Sequence, residues 1–236
     1  MPAIAYKLTM LLEAQPGLSA GDFAGQWLSL EQADPLRADG LLGYAFDRVH
    51  DGAVPIKSTP PSPYQAATEL WWAKKRDAAD WFISRHFERW LQRRLPLMRG
   101  RPGAVGGEPK LIWERPDTSR LTTRVRILVL PVALRRLTVA QFVAHWTGAH
   151  AALALGGPRT KQRLLRLEDT PAADLPGSLM RTPFDGIGAI DFESLESMRA
   201  EFSEHYYHDV LAPDEPKFTD SSQSTALLTT SLRLFP

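Results

Sequence analysis

The chain has no cysteine among its 236 residues, which excludes a disulfide framework, a thiolate nucleophile and a cysteine-held metal. Neither charge is in surplus: 28 basic residues face 27 acidic ones, and a formal net charge of +1 sets up no field to attract nucleic acid or an anionic membrane. Long apolar runs are missing too, and the N-terminus has no basic segment leading into an apolar one, so a cytoplasmic protein with no membrane partner is expected. There is no glycine-rich phosphate loop, dinucleotide fingerprint or nucleophile elbow. Nucleotide-dependent chemistry is therefore disfavoured, and neither a cofactor nor a metal is expected.

What the chain does have is a hydrophobic share of 44%, enough for a substantial core, and an internal duplication. Leu18, Phe23 and Trp27 recur as Leu137, Phe142 and Trp146, each 119 positions on. From Pro63 and Pro183 the offset becomes 120 and persists through Phe82 and Phe202 to Leu91 and Leu211. One inserted loop residue accounts for the change. Two related halves are expected, residues 1–115 and 121–236.

Each half reads strand, helix, strand, strand, helix, strand. In the first, Tyr6 to Leu12 is a short apolar strand closed by Gln15, Pro16 and Gly17, and Ser19 with Asp22 marks a capped helix start. Strands are expected at 43–49, 66–72 and 110–114, one or two helices between Ala73 and Leu95, and loops at 50–63 and 99–109. In the second, strands are expected at 124–130, 163–168 and 225–234, a helix capped by Thr138 and Gln141, and a proline-rich loop at 169–182. This is the ferredoxin-like order, an antiparallel sheet with both helices on one face. The open faces of two such sheets can cover each other. The expected class is α+β, two ferredoxin-like repeats forming a pseudo-dimeric α+β barrel within one chain.

The run Leu137, Thr138, Phe142, Trp146, His150, the segment from Pro183 to Glu196 and the late Phe218, Thr219, Asp220 together resemble the EthD-type branch of the dimeric α+β barrel superfamily. The first half keeps Phe23 and Trp27 but has Glu31 opposite His150 and Gln65 opposite Asp185, as a drifted copy would. The resemblance implies the fold strongly. For activity it implies a range of small-molecule chemistry on aromatic or polyketide-like compounds, including cofactor-free cyclases, dehydratases and decarboxylases, monooxygenases, and haem-binding members.

Several side chains could carry chemistry. His150 continues the buried stripe of Phe142 and Trp146, where a neutral imidazole suits general acid or base work near neutral pH. His145 falls at the edge of that face. Asp185 opens a strand beside Gly186 and is either a partner acid or an Asx-turn stabiliser. Strand alternation groups Asp191 with Ile187 and Ala189, and Glu69 with Ala67 and Trp71. Burial there would raise either acid's pKa, while an exposed edge would explain both equally well. His205, Tyr206, Tyr207, His208 and Asp209 offer pocket lining, but His-x-x-His alone is a weak metal signal. Most of the seven tryptophans belong to core packing. The expected catalytic set is His150, Asp185 and Asp191, with Trp146, Phe142, Tyr206, His205, Glu69, Trp71 and Phe218 around the substrate. The expected activity is a cofactor-independent lyase or isomerase, performing elimination, decarboxylation or cyclisation on a small aromatic or polyphenolic substrate. A haem or aromatic-ligand binder and a cofactor-free monooxygenase are the alternatives, and a homodimer is left open.

Overall fold

The computed structural model describes residues 4–50, 60–116, 118, 121, 123–176 and 179–235. Most of the expected loop at 50–63 thus lies outside the described residues. In the first repeat β1 (Tyr6–Leu12) leads into α1 (Ala20–Ala33), followed by β2 (Leu41–Val49), β3 (Ala66–Trp72), α2 (Lys75–Phe82), α3 (Arg85–Gln92), β4 (Gly103–Gly107) and β5 (Lys110–Glu114). The second repeat runs β6 (Thr123–Leu130), α4 (Val139–Ala144), a π-helical turn His145–His150, α5 (Ala151–Ala154), α6 (Thr160–Arg163), β7 (Leu164–Pro171), β8 (Met180–Arg181), β9 (Gly186–Phe192), α7 (Leu195–Phe202) and β10 (Thr225–Phe235). Local signals set the helix starts. The Ser19 hydroxyl accepts from the Asp22 N–H at 3.1 Å, and Thr138 with Gln141 completes a reciprocal capping box.

All ten strands form one sheet in the order β5-β7-β9-β6-β10-β2-β3-β1-β4-β8. The pseudo-twofold is visible in the terminal strand of each repeat. β10 is long enough to pair with β6 of its own repeat through Thr225–Leu232 and with β2 of the other repeat through Thr229–Phe235. The first repeat splits the same job: β4 pairs with β1 of its own repeat and β5 with β7 of the other, with Glu108 and Pro109 between them. Proline cannot donate to a ladder, so the break falls there. Because β4 and β5 are consecutive, the sheet closes into the expected barrel. The segment at 99–109 is therefore not all loop, as its Gly and Pro content suggested. Its glycines allow a close approach, and a Cβ at Gly107 would collide with the Pro171 carbonyl.

Side chains alternate between two environments. One face of the first repeat's sheet, with Leu8, Met10 and Leu12, joins Phe23, Trp27, Trp72, Trp81, Phe87 and Trp90 in a single aromatic core beneath the helices. The other face lines the barrel, apolar at one end around Leu11, Leu128 and Ile187. At the other end it is charged: Lys7 bridges Glu69 and Glu168, while Arg126 binds Asp191 (2.5 Å), Asp47 (3.4 Å) and Glu69. Three of these pairs, Lys7 with Glu168 and Arg126 with Asp47 and Glu69, join strands of different repeats, so they fix how the two sheets meet.

Candidate active site

Above the second repeat's sheet, Phe142, Trp146 and Phe218 form a small separate cluster. Trp146 lies flat where β9 has no side chains, since a Cβ on Gly186 would strike its ring and one on Gly188 would sit 3.4 Å from Cζ2. The helix then changes pitch. The π turn at His145–His150 widens the spiral, so two histidines five apart point the same way, whereas an α-helix would separate them by about 140°.

Both rings meet one carboxylate. His150 Nδ1 lies 3.1 Å and His145 Nε2 3.0 Å from the same Oδ2 of Asp214, and Lys217 Nζ lies 3.0 Å from the other oxygen. Asp214 sits in a 3-10 segment, Ala212–Lys217, that has Pro213 in its first turn and is tied to the loop after β6: the Leu134 N–H donates to the Phe218 carbonyl and the Asp220 N–H to the Val132 carbonyl. Phe218 packs against both imidazoles, with ring centroids 4.9 Å from His145 and 4.8 Å from His150.

The electrostatics assign the protons. Burial alone would push the Asp214 carboxyl up, but donors from His145, Lys217 and His150 hold it at about 2. An ionised carboxylate only accepts, so His150 Nδ1 carries a proton and donates, leaving Nε2 as the basic nitrogen. Burial, reinforced by His145, lowers the His150 pKa against the opposing pull of Asp214. The ring is therefore neutral at neutral pH. Next to Asp214, burial and its neighbour's charge raise Glu215 to about 7, and Tyr207 hydrogen-bonds to it.

The residues singled out in the sequence divide among four places. His150, Trp146, Phe142 and Phe218 come together here, on the helix side of the sheet. Asp191, Glu69 and Trp71 face the barrel interior on the opposite side. Asp191 corrects the expectation of a raised acid: it is fully buried, but Arg126 and Arg124 hold its carboxyl below the usual range. The interior supplies charges of opposite sign, which alternation within one strand does not reveal. Asp185 is half-buried at the barrel rim, where its Oδ2 accepts from the Ala133 N–H at 2.7 Å, a tie to the loop after β6 rather than a local Asx turn. His205 is exposed on the far side of its helix, and Tyr206 donates to the Leu153 carbonyl at 3.0 Å, so neither reaches His150. Tyr207 takes the inward position instead.

Asp214, Glu215 and Asp169 escaped the sequence reading. Asp169 lies on the helix-facing side of β7, 3.2 Å from where a Gly188 Cβ would project; burial and the Glu168 charge push its carboxyl up to about 8. In the first repeat the position of His150 is filled by Glu31, buried and engaged by Tyr44 Oη at 2.8 Å and Arg94 Nη2 at 2.9 Å. The Arg94 guanidinium stacks on Trp90 at 4.1 Å. Glu31 and Tyr44 also border a cavity of about 490 Å³ that reaches the end of β10.

The fold is that of the dimeric α+β barrel, with both halves of the barrel supplied by one chain. Residues 134–222, the stretch that holds the His150 cluster, match the EthD domain model. In structure the chain is similar to an anthrone oxidase-like protein (8% identity, covering 98% of this chain and 92% of that one, TM-score 0.64). It is similar as well to a proposed monooxygenase from Fusobacterium nucleatum (8%, 98% and 94%, TM-score 0.60) and to a mutant chlorite dismutase from Candidatus Nitrospira defluvii (11%, 96% and 90%, TM-score 0.55). No curated protein matches the chain in sequence. Likeness at these identities establishes the fold. Among the described residues no helix is long and apolar enough to cross a membrane.

Proposed function

We propose that the second repeat is a base-catalytic site in which His150 Nε2 removes a proton from an activated C–H or phenolic O–H of a small aromatic compound. The observation that carries this reading is the contact of His150 Nδ1 with the ionised Asp214, which sets the tautomer and aims Nε2 outward. Phe218 and Phe142 pack beneath the dyad, and Lys217 places a positive charge beside it, where a developing phenolate or enolate would be stabilised. Proton removal is the opening step of both cofactor-free oxygenation and elimination or cyclisation. Two of the structural relatives are named for oxidase or monooxygenase activity, which favours oxygenation of the resulting anion over lyase chemistry.

A haem reading meets a packing obstacle. Phe218 lies against the His150 ring, Trp146 covers the β9 glycines, and the cavities of about 470 and 490 Å³ are both lined by residues other than His150. The test is turnover of anthrone and dihydroxynaphthalenes, followed by absorbance and oxygen uptake, in the wild type and His150→Gln. A loss of about 100-fold or more is expected from removing a general base; undiminished turnover by the variant would overturn the proposal.

A further inference from the structure

The cavity of about 470 Å³ lies where the two repeats meet, away from the histidine dyad. Its walls come from both: the backbone of Ala104, Val105 and Gly106 on β4, and Phe142, Phe184 and Leu175 from the second repeat. Small residues on β4 leave the space open, and the apolar walls suit a flat hydrocarbon body. Two arginines stand at the mouth. Arg181 is held by an exposed contact to Asp174 at 3.3 Å, with side-chain exposures of 66% and 93%, and by a long bond to the Ala173 carbonyl at 3.5 Å, so that pairing is easily exchanged. Arg135 is exposed on the opposite lip. The one lining carboxylate, Asp185, is already engaged by the Ala133 N–H. Behind the wall, the Tyr6 hydroxyl is fully buried without a hydrogen-bond partner, pressed against Gly106 and near Leu175, both lining residues. A buried polar group left unpaired is a place where a ligand atom or water is recruited.

We infer that this junction cavity is a second binding site, for a small aromatic carboxylate whose ring enters between β4 and Phe142 and whose carboxylate is met by Arg135 and Arg181. A planar guanidinium suits a carboxylate better than a point charge does, and one arginine from each lip permits recognition from two sides. The site is independent of the proton-abstraction reading: its charges are not those of the dyad, and the residues that border both, Phe142, Leu137 and Ala133, are apolar.

The experiment is calorimetric titration of the full chain with 2-naphthoate and with its neutral analogue 2-naphthalenemethanol. Wild type and His150→Gln are expected to bind one equivalent of 2-naphthoate with equal affinity. The double variant Arg135→Gln/Arg181→Gln, altered only at exposed positions, is expected to bind about tenfold or more weakly, and the neutral alcohol to bind wild type more weakly by a similar factor. No heat from 2-naphthoate, equal binding by the double variant, equal binding of the alcohol, or a loss confined to His150→Gln would each overturn the assignment. The last outcome would move the ligand to the dyad.

Discussion

His150 Nδ1 stands 3.1 Å from Asp214 Oδ2, and the contact exists because a π turn rotates His150 onto the side of the helix that already presents His145. Asp214→Asn removes the acceptor charge and permits the wrong tautomer. The fold should survive, since Ala212–Lys217 is tied down by backbone bonds, while turnover falls by about 10²-fold or more. Steady-state kinetics alongside a circular dichroism melt checks both halves of that expectation.

Asp169 makes the pH behaviour of the fold distinctive. Its folded pKa is raised to about 8 from the usual 3.8, so the folded state retains a proton that the unfolded chain releases between those values. Asp169 therefore costs nothing below about pH 4 and disfavours the fold increasingly as pH rises toward 8. Asp169→Asn should raise the urea midpoint at pH 8 and leave it nearly unchanged at pH 4, a differential of about 1 kcal/mol or more. Equal shifts at both pH values would show that the carboxyl is not held protonated.

Asp191 belongs to the barrel's ionic interior. Replacing its partner, Arg126→Met, strands Asp191, Asp47 and Glu69 without their shared cation and should cost about 3 to 5 kcal/mol in urea unfolding. Adding Asp191→Asn to Arg126→Met should recover part of that loss, because a neutral amide is cheaper to bury than an unpaired carboxylate.

Gly186→Ala tests the seating of Trp146. The added methyl group meets the indole and lies 3.0 Å from the Thr170 carbonyl, so a loss of about 1 to 3 kcal/mol is expected, with a change in tryptophan fluorescence as the ring is displaced.

The duplication, the capping residues and the strand alternation were legible in the sequence because each is a short-range pattern. Phe23 and Trp27 against Phe142 and Trp146 showed which helix face is buried, and the period of two grouped Glu69 with Trp71 and Asp191 with Ile187 on one face. The sequence did not show what that face meets: Arg126 reaches Glu69, and Lys7 reaches Glu168, only because strands of different repeats are brought together. The π turn was hidden for a different reason. At α-helical spacing His145 and His150 diverge, so the pair looked like one inward and one peripheral residue, and Asp214, more than sixty positions away, had no pattern linking it to either. β4 was obscured by glycines that read as loop but serve a close backbone approach.

Burial holds His150 neutral against the pull of Asp214, while Asp214 keeps the proton on Nδ1 and leaves Nε2 free to act as base. Long-range 1H–15N spectra of the histidines across pH 4 to 8, assigned by comparison with His150→Gln, measure this without knowledge of the substrate. The expected result is a His150 midpoint below the ordinary value of 6.5 and an Nδ1–H tautomer above it. A midpoint above 6.5, or an Nε2–H tautomer at neutral pH, would contradict the account.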